Sequence, residues 1–453
     1  MMLPPLTRPA AALAFCLGLG WCAISPHVHG QAQPAAQSRT WTDAQGRTMQ
    51  ATLAGIEGDQ ALFLMSGGQT IKFPISKLSP ADQDFLKKNT AATPAPAPAP
   101  GGSVPATPTG VTPRLPIEKR VWPKEVEVPA RSIEIAVVTE KPEDKNCVYQ
   151  SEAFSFHSEE KLAGSVMKEI ARTFEATRTL LQALPWAIDP KPPVDVGRFQ
   201  ARFYASRQSY IADGGPENSG GVYMSRDRTF RIPFQSLGLK LLGKTWAKDD
   251  GYSNDTIIHE ITHQLMHDYL AFLPTWVIEG TAEYTEMLPY KAGRFRAAAH
   301  ESGFKEYLQH AEQRGVTLAD INVPGHLMMK GRDWQMQAQS GGISQFRLYF
   351  ASCVMVYYFC HLDGDGKGTR FLKYLDKIAE AREAWNAFFA NPLVKVNKET
   401  GSYQWPSGKV TPPAFKQDEE YGFEQMQILL DGRTAEQLEA EMKAGFKKIG
   451  VKW

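Results

Sequence analysis

Apolar residues recur at helical spacing through Leu162, Val166, Ile170, Phe174 and Leu181, and predict a long amphipathic helix over residues 159–184. On either side of it the period shortens. Residues 132–156 read as short β segments, and residues 200–205 alternate apolar and polar side chains as a strand does. Gly220-Gly221 then opens a strand-like run at Val222-Tyr223-Met224, with a second strand expected at Thr229–Pro233. Ser253-Asn254-Asp255-Thr256 stands before an apolar helical run as capping residues do. Further helices are expected over residues 342–361, 367–381 and 434–449. Residues 322–339 carry few periodic apolar positions and are expected to form a long loop. Helix, strands, then mostly helices in one stretch of roughly 330 residues make an α+β domain with a sizeable core, over residues 121–453.

The N-terminal part has a different texture. Residues 1–32 combine Arg8, an apolar stretch from Ala10 to Ile24, and small residues at Gly30 and Ala32, which predicts a cleaved export signal. Cys16 and Cys22 follow the bulky Phe15 and Trp21, so no lipid anchor is expected. Residues 38–88 alternate in short runs divided by Gly46, Gly58 and Gly67-Gly68, and end in a Ser79-capped turn. Arg39, Trp41, Asp43, Gly46, Ala51, Leu78, Ser79 and Asp82 resemble the pattern of the SH3-like Sla-homology domains. That resemblance implies a small β-barrel with a ligand of its own, which the residues do not name, and Trp41 is expected in its core. Residues 89–120 collapse to Ala, Pro, Thr and Gly and form a semi-rigid spacer.

Composition narrows the setting. The 50 basic and 49 acidic residues give no field to attract nucleic acid. No stretch beyond the export signal is long and apolar enough to span a bilayer. Of the remaining cysteines, Cys353 and Cys360 lie about 10 Å apart along one helix, so at most one bridge, to Cys147, is expected.

The chemistry gathers at His259-Glu260-Ile261-Thr262-His263. Residues four apart share a helix face, so two imidazoles can meet one Zn²⁺ while Glu260 accepts a proton from a metal-bound water. An ester or amide carbonyl is the natural target. After His263 comes a second helical segment with Glu279 and Glu283, whose carboxylates are also four apart. Either can reach the metal, one as ligand and the other holding a ligand histidine. Asp255, four residues before His259, serves either as support for the site or as a cap. His267 falls eight residues past His259, about 12 Å along the axis, too far to share the ion, and is expected to be structural. His300, His310, His326 and His361 have no partner at ligand spacing.

Trp276-Val277-Ile278-Glu279-Gly280-Thr281-Ala282-Glu283-Tyr284 resembles the W-x-x-E-G-x-A-x-Y pattern of the gluzincin metallopeptidases. The resemblance implies a thermolysin-like fold, one zinc per chain on His259, His263 and Glu279, and Glu260 as catalytic base. Glu283 then supports a ligand histidine, with Tyr284 and Tyr349 as candidates to stabilise the transition state. The 15 residues between His263 and Glu279 are fewer than the roughly 18 of the aminopeptidase and thermolysin branches, and are closer to the peptidase-MA-like proteins. No G-x-M-E-N segment is present, so an aminopeptidase is not indicated. In such enzymes an extended peptide lies along a sheet edge, for which Val222-Tyr223-Met224 is the candidate, and residues 322–339 are placed over the cleft. Asp363-Gly364-Asp365-Gly366-Lys367-Gly368 opens like a calcium loop but has Tyr374 where the closing acid belongs, and is expected to be an inter-helix turn. The expectation is an exported zinc peptidase, periplasmic or extracellular, acting on peptides or proteins. The alternative is a non-catalytic binding protein that retains the fold.

Overall fold

The computed structural model describes residues 39–43, 47–57, 60–65, 70–90, 114–193, 195–249, 251–396, 403–406 and 408–453. The export signal expected at residues 1–32 and most of the spacer expected at 89–120 lie outside them. The chain is mixed α and β, 49% helical and 17% strand, consistent with the α+β class. The described residues divide into two compact units, one within 114–391 and 411–453, the other within 39–90 and 392–410. Within 392–410 the described residues include the two-residue strands Lys395–Val396 and Tyr403–Gln404, which pair antiparallel.

In the smaller unit, strands Arg39–Thr42, Thr48–Glu57, Gln60–Met65 and Thr70–Pro74 pair antiparallel in sequence order and lead to the helix Pro80–Thr90. Trp41 is buried against Phe63 with ring centroids 4.6 Å apart, and Leu78 and Leu86 complete the core. The acidic positions of the motif serve the backbone. Asp82 Oδ2 accepts the Thr42 N–H at 2.7 Å, and Asp43 Oδ1 accepts the Arg47 N–H at 2.9 Å.

The larger unit is built on six strands, in spatial order Val222–Met224, Thr229–Pro233, Phe199–Tyr204, Phe154–Ser158, Asn146–Gln150 and Ala136–Lys141. The three central strands run parallel, and the remaining pairings are antiparallel. The amphipathic helix, observed at Gly164–Ala183, lays Phe174 on this sheet within 5.1 to 5.7 Å of Phe154, Phe156 and Phe230. Side chains with this much apolar area at a helix–sheet contact supply much of the burial that holds the two layers.

The helix Asp255–Leu265 lies beside the short edge strand Val222–Met224, and the helix Thr275–Met287 packs between it and the long helix Gly342–His361. Gly280 permits that contact, because a Cβ there would sit 2.5 Å from the Ser352 carbonyl oxygen and 2.6 Å from Val356 Cγ2. Gly280→Ala should therefore push the helices apart and lower stability by about 1–3 kcal/mol despite alanine's better helix propensity. Urea unfolding measures this, and a gain in stability would contradict the close packing.

Residues 322–339 are not a loop. They form the helices Val323–Leu327 and Gly331–Ala338, the first capped by the Asn322 side chain, which accepts the Gly325 N–H at 3.1 Å. Their apolar anchors are sparse, and Val323, Leu327 and Trp334 are all buried. His326 is also buried, and its Nε2 lies 2.9 Å from Ser352 Oγ, which donates to the Leu348 carbonyl. Burial pushes His326 down from 6.5 to about 3. The unfolded chain takes up this proton first, so stability falls as pH drops below 6.5, and the loss is complete only near 3. At pH 5 the penalty is about 2 kcal/mol. His326→Asn should lose correspondingly less stability between pH 7.5 and 5, measured by urea midpoints, whereas equal losses would show that His326 carries no such penalty.

Cys147, Cys353 and Cys360 are buried free thiols, so the one bridge thought feasible is not made. Asp363 accepts Arg370 and Arg433 at 2.9 Å each, which explains the inter-helix turn without an ion. Among the described residues no helix is long and apolar enough to cross a membrane.

Candidate metal centre

The helix Asp255–Leu265 buries Ile257, Ile258, Ile261 and Leu265, and this apolar anchoring fixes where His259, Glu260 and His263 point. Gln264 ties the helix to the sheet, donating to the Gln200 carbonyl at 2.8 Å. The Thr262 and Thr285 hydroxyls, 2.7 Å apart, tie it to the helix Thr275–Met287. Across that seam Glu279 Oε2 lies 3.3 Å from His259 Nε2 and 3.3 Å from His263 Nε2.

These distances bear on what the three residues can hold. Tetrahedral directions around an ion about 2.0 Å from each ligand put neighbouring donor atoms about 3.3 Å apart. The three ligand atoms lie within 4.8 Å of one another and are buried. Neither Glu279 oxygen, nor His263 Nε2, makes a hydrogen bond among the described residues. Two imidazoles and a carboxylate that converge at this spacing fit a cation at their centre. Without one, the desolvated carboxylate would be left poorly compensated. Burial opposes ionisation of Glu279, yet the His263 and His259 rings outweigh it and bring the carboxyl down to about 2.

His259 is held from behind by a residue the sequence reading did not single out. Its Nδ1 lies 3.0 Å from Glu286 Oε2, against 3.6 Å from Glu283 Oε1. An ionised carboxylate only accepts, so Nδ1 carries the proton towards Glu286, and Nε2 is the nitrogen left to ligate a cation. The role expected of Glu283 thus falls mainly to Glu286. Glu283 instead accepts the Tyr307 hydroxyl at 2.7 Å, and burial with the neighbouring Glu286 charge holds its carboxyl well above the usual range. His259, Glu283 and Glu286 also form a set able to hold a cation. A neutral imidazole has one lone pair, so the two sets compete for His259.

Glu260 is wholly buried next to the ligands. Its Oε2 accepts the Tyr223 N–H of the edge strand at 2.8 Å, while Oε1 has no hydrogen-bond partner among the described residues. Burial raises its proton affinity, partly offset by the two imidazoles. Tyr349 faces the same space, its ring 6.2 Å from that of His259, and burial followed by the Glu279 and Glu260 charges keeps its phenol protonated.

The other candidates lie elsewhere. Tyr284 turns away and places its hydroxyl 2.8 Å from His361 Nε2, with its ring against Trp122 and Trp186, so it belongs to an aromatic cluster and not to the site. Asp255 is the first residue of its helix, after Asn254 at the cap position; burial and then the Glu286 charge raise its carboxyl to about 6, and it is not among the groups that could hold an ion. His267 binds Tyr223, and His300 stacks on His361 at 3.7 Å. His310 is exposed. No family model, curated protein or solved structure matches this chain.

Proposed function

We propose that this chain is an exported zinc-dependent peptidase, with His259, His263 and Glu279 as ligands of one zinc ion and Glu260 as general base. The observation that carries the reading is the convergence of three buried ligand atoms within 4.8 Å of one another, beside a Glu260 oxygen that has no hydrogen-bond partner among the described residues. On this reading residues 121–453 form a gluzincin-type enzyme. The N-terminal sheet is an SH3-like Sla-homology module whose ligand tethers it.

Two nitrogens and one carboxylate oxygen suit zinc and leave one tetrahedral position for water or substrate. When bound, zinc supplies Lewis acidity, polarising a carbonyl and bringing the pKa of a coordinated water towards about 7. Glu260 Oε1 takes the proton of the attacking water and returns it to the leaving amine. Burial, by raising the affinity of Glu260 for that proton, suits it to both transfers. The Tyr349 phenol, kept protonated by burial, donates to the oxyanion that develops at the carbonyl. The edge strand Val222–Met224 offers a free side along which an extended peptide can lie.

Elemental analysis of the dialysed mature protein should find one zinc per chain. Cleavage of casein should stop on treatment with 1,10-phenanthroline and return with added zinc. A well-folded protein with no bound zinc would overturn the enzyme and favour a binding protein that keeps only the architecture.

A further inference from the structure

His267, the first residue of the short helix His267–Leu270 that follows the motif helix, has a partner that bears on the base. His267 Nδ1 lies 2.7 Å from the hydroxyl of Tyr223, with the two rings edge to face at 5.9 Å. The same tyrosine donates its backbone N–H to Glu260 Oε2 at 2.8 Å. Tyr223 is therefore held at its amide by the helix Asp255–Leu265 and at its hydroxyl by the helix His267–Leu270.

The strand that carries it needs such an anchor. Val222–Met224 has three residues, pairs on one side only, with Thr229–Pro233, and follows Gly220-Gly221. Short edge strands next to glycines belong to the parts of a fold that open most readily. If the strand shifts, the Tyr223 amide leaves Glu260, whose second oxygen then has no fixed direction. We propose that the Tyr223–His267 pair is a positioning device that fixes the edge strand, so that Tyr223 N–H holds Glu260 Oε2 and leaves Oε1 aimed at the reacting water. The inference rests on Glu260 being the general base, and names Tyr223 and His267 as positioning residues.

The test uses the zinc-loaded full chain with Tyr223→Phe, His267→Phe and His267→Gln. Amide hydrogen exchange at residue 223 is followed by mass spectrometry, with kcat and KM measured on casein. Loss of one hydrogen bond predicts exchange at residue 223 three- to tenfold faster in Tyr223→Phe and His267→Phe, and a fall in kcat of about the same factor. KM and zinc content should hold. His267→Gln, whose amide can still bond the hydroxyl, should restore both readouts. Unchanged exchange in the two Phe variants would overturn the anchor, and faster exchange with unchanged kcat would overturn the positioning role. If the wild type cleaves nothing, the reading of Glu260 as base fails, while the exchange data still decide whether the pair holds the strand.

Discussion

Glu260→Gln should lower kcat by about 10²–10⁴-fold while the protein stays folded and keeps its zinc. The local hydrogen bonds make this substitution unusually clean. A glutamine can still accept the Tyr223 N–H through its amide oxygen, the contact Glu260 Oε2 makes at 2.8 Å. Its amide nitrogen then takes the place of Oε1, the oxygen without a hydrogen-bond partner, and has no lone pair to receive a proton. Only the proton transfer is removed. Glu260 is buried, and burial works against its ionised form, so replacing it with a neutral isostere should leave stability equal to or above that of the wild type. Casein hydrolysis, elemental analysis and urea unfolding on the same two proteins separate the possibilities. Retained activity would remove Glu260 from the chemistry. Lost activity together with lost zinc would show that its carboxylate serves the metal instead.

The residues proposed to hold zinc were legible because their geometry is local. Spacing of four on one helix places His259 and His263 together whatever the rest of the fold does. Glu279 came from a pattern on the next helix, where Gly280 beside it allows the close approach of the helix Gly342–His361. Glu286 escaped notice, although 279, 283 and 286 follow each other at spacings of four and three and so line one face. The same arithmetic explains Tyr284. Five residues past Glu279, it points about 140° away around the helix, towards His361. Contacts set by tertiary packing could not be read. The Tyr223 N–H meets Glu260 from 37 positions away, across a strand-to-helix contact that no local pattern encodes. Residues 322–339 misled for the opposite reason, since Val323, Leu327 and Trp334 are too widely spaced to show a period yet bury enough to hold two short helices.

Removing carboxylates one at a time from the helix Thr275–Met287 should weaken metal binding in the order Glu279, Glu286, Glu283. Glu279 Oε2 stands 3.3 Å from both ligand nitrogens, so Glu279→Ala deletes a ligand and leaves two imidazoles, and affinity should drop on the order of a hundredfold or more. Glu286→Ala leaves the ligands in place but takes away the acceptor 3.0 Å from His259 Nδ1. The ring can then rotate or place its proton on Nε2, and the expected loss is about 10–100-fold. Glu283 is farther, at 3.6 Å, and is occupied by the Tyr307 hydroxyl, so Glu283→Ala should have the smallest effect on the metal. Competition with a zinc-sensitive chelating dye at fixed pH ranks the three. Should Glu283→Ala prove the most damaging, the ligand role passes to Glu283. Three equal losses would mean that the helix as a whole shifts and that none of its carboxylates is specific to the ion.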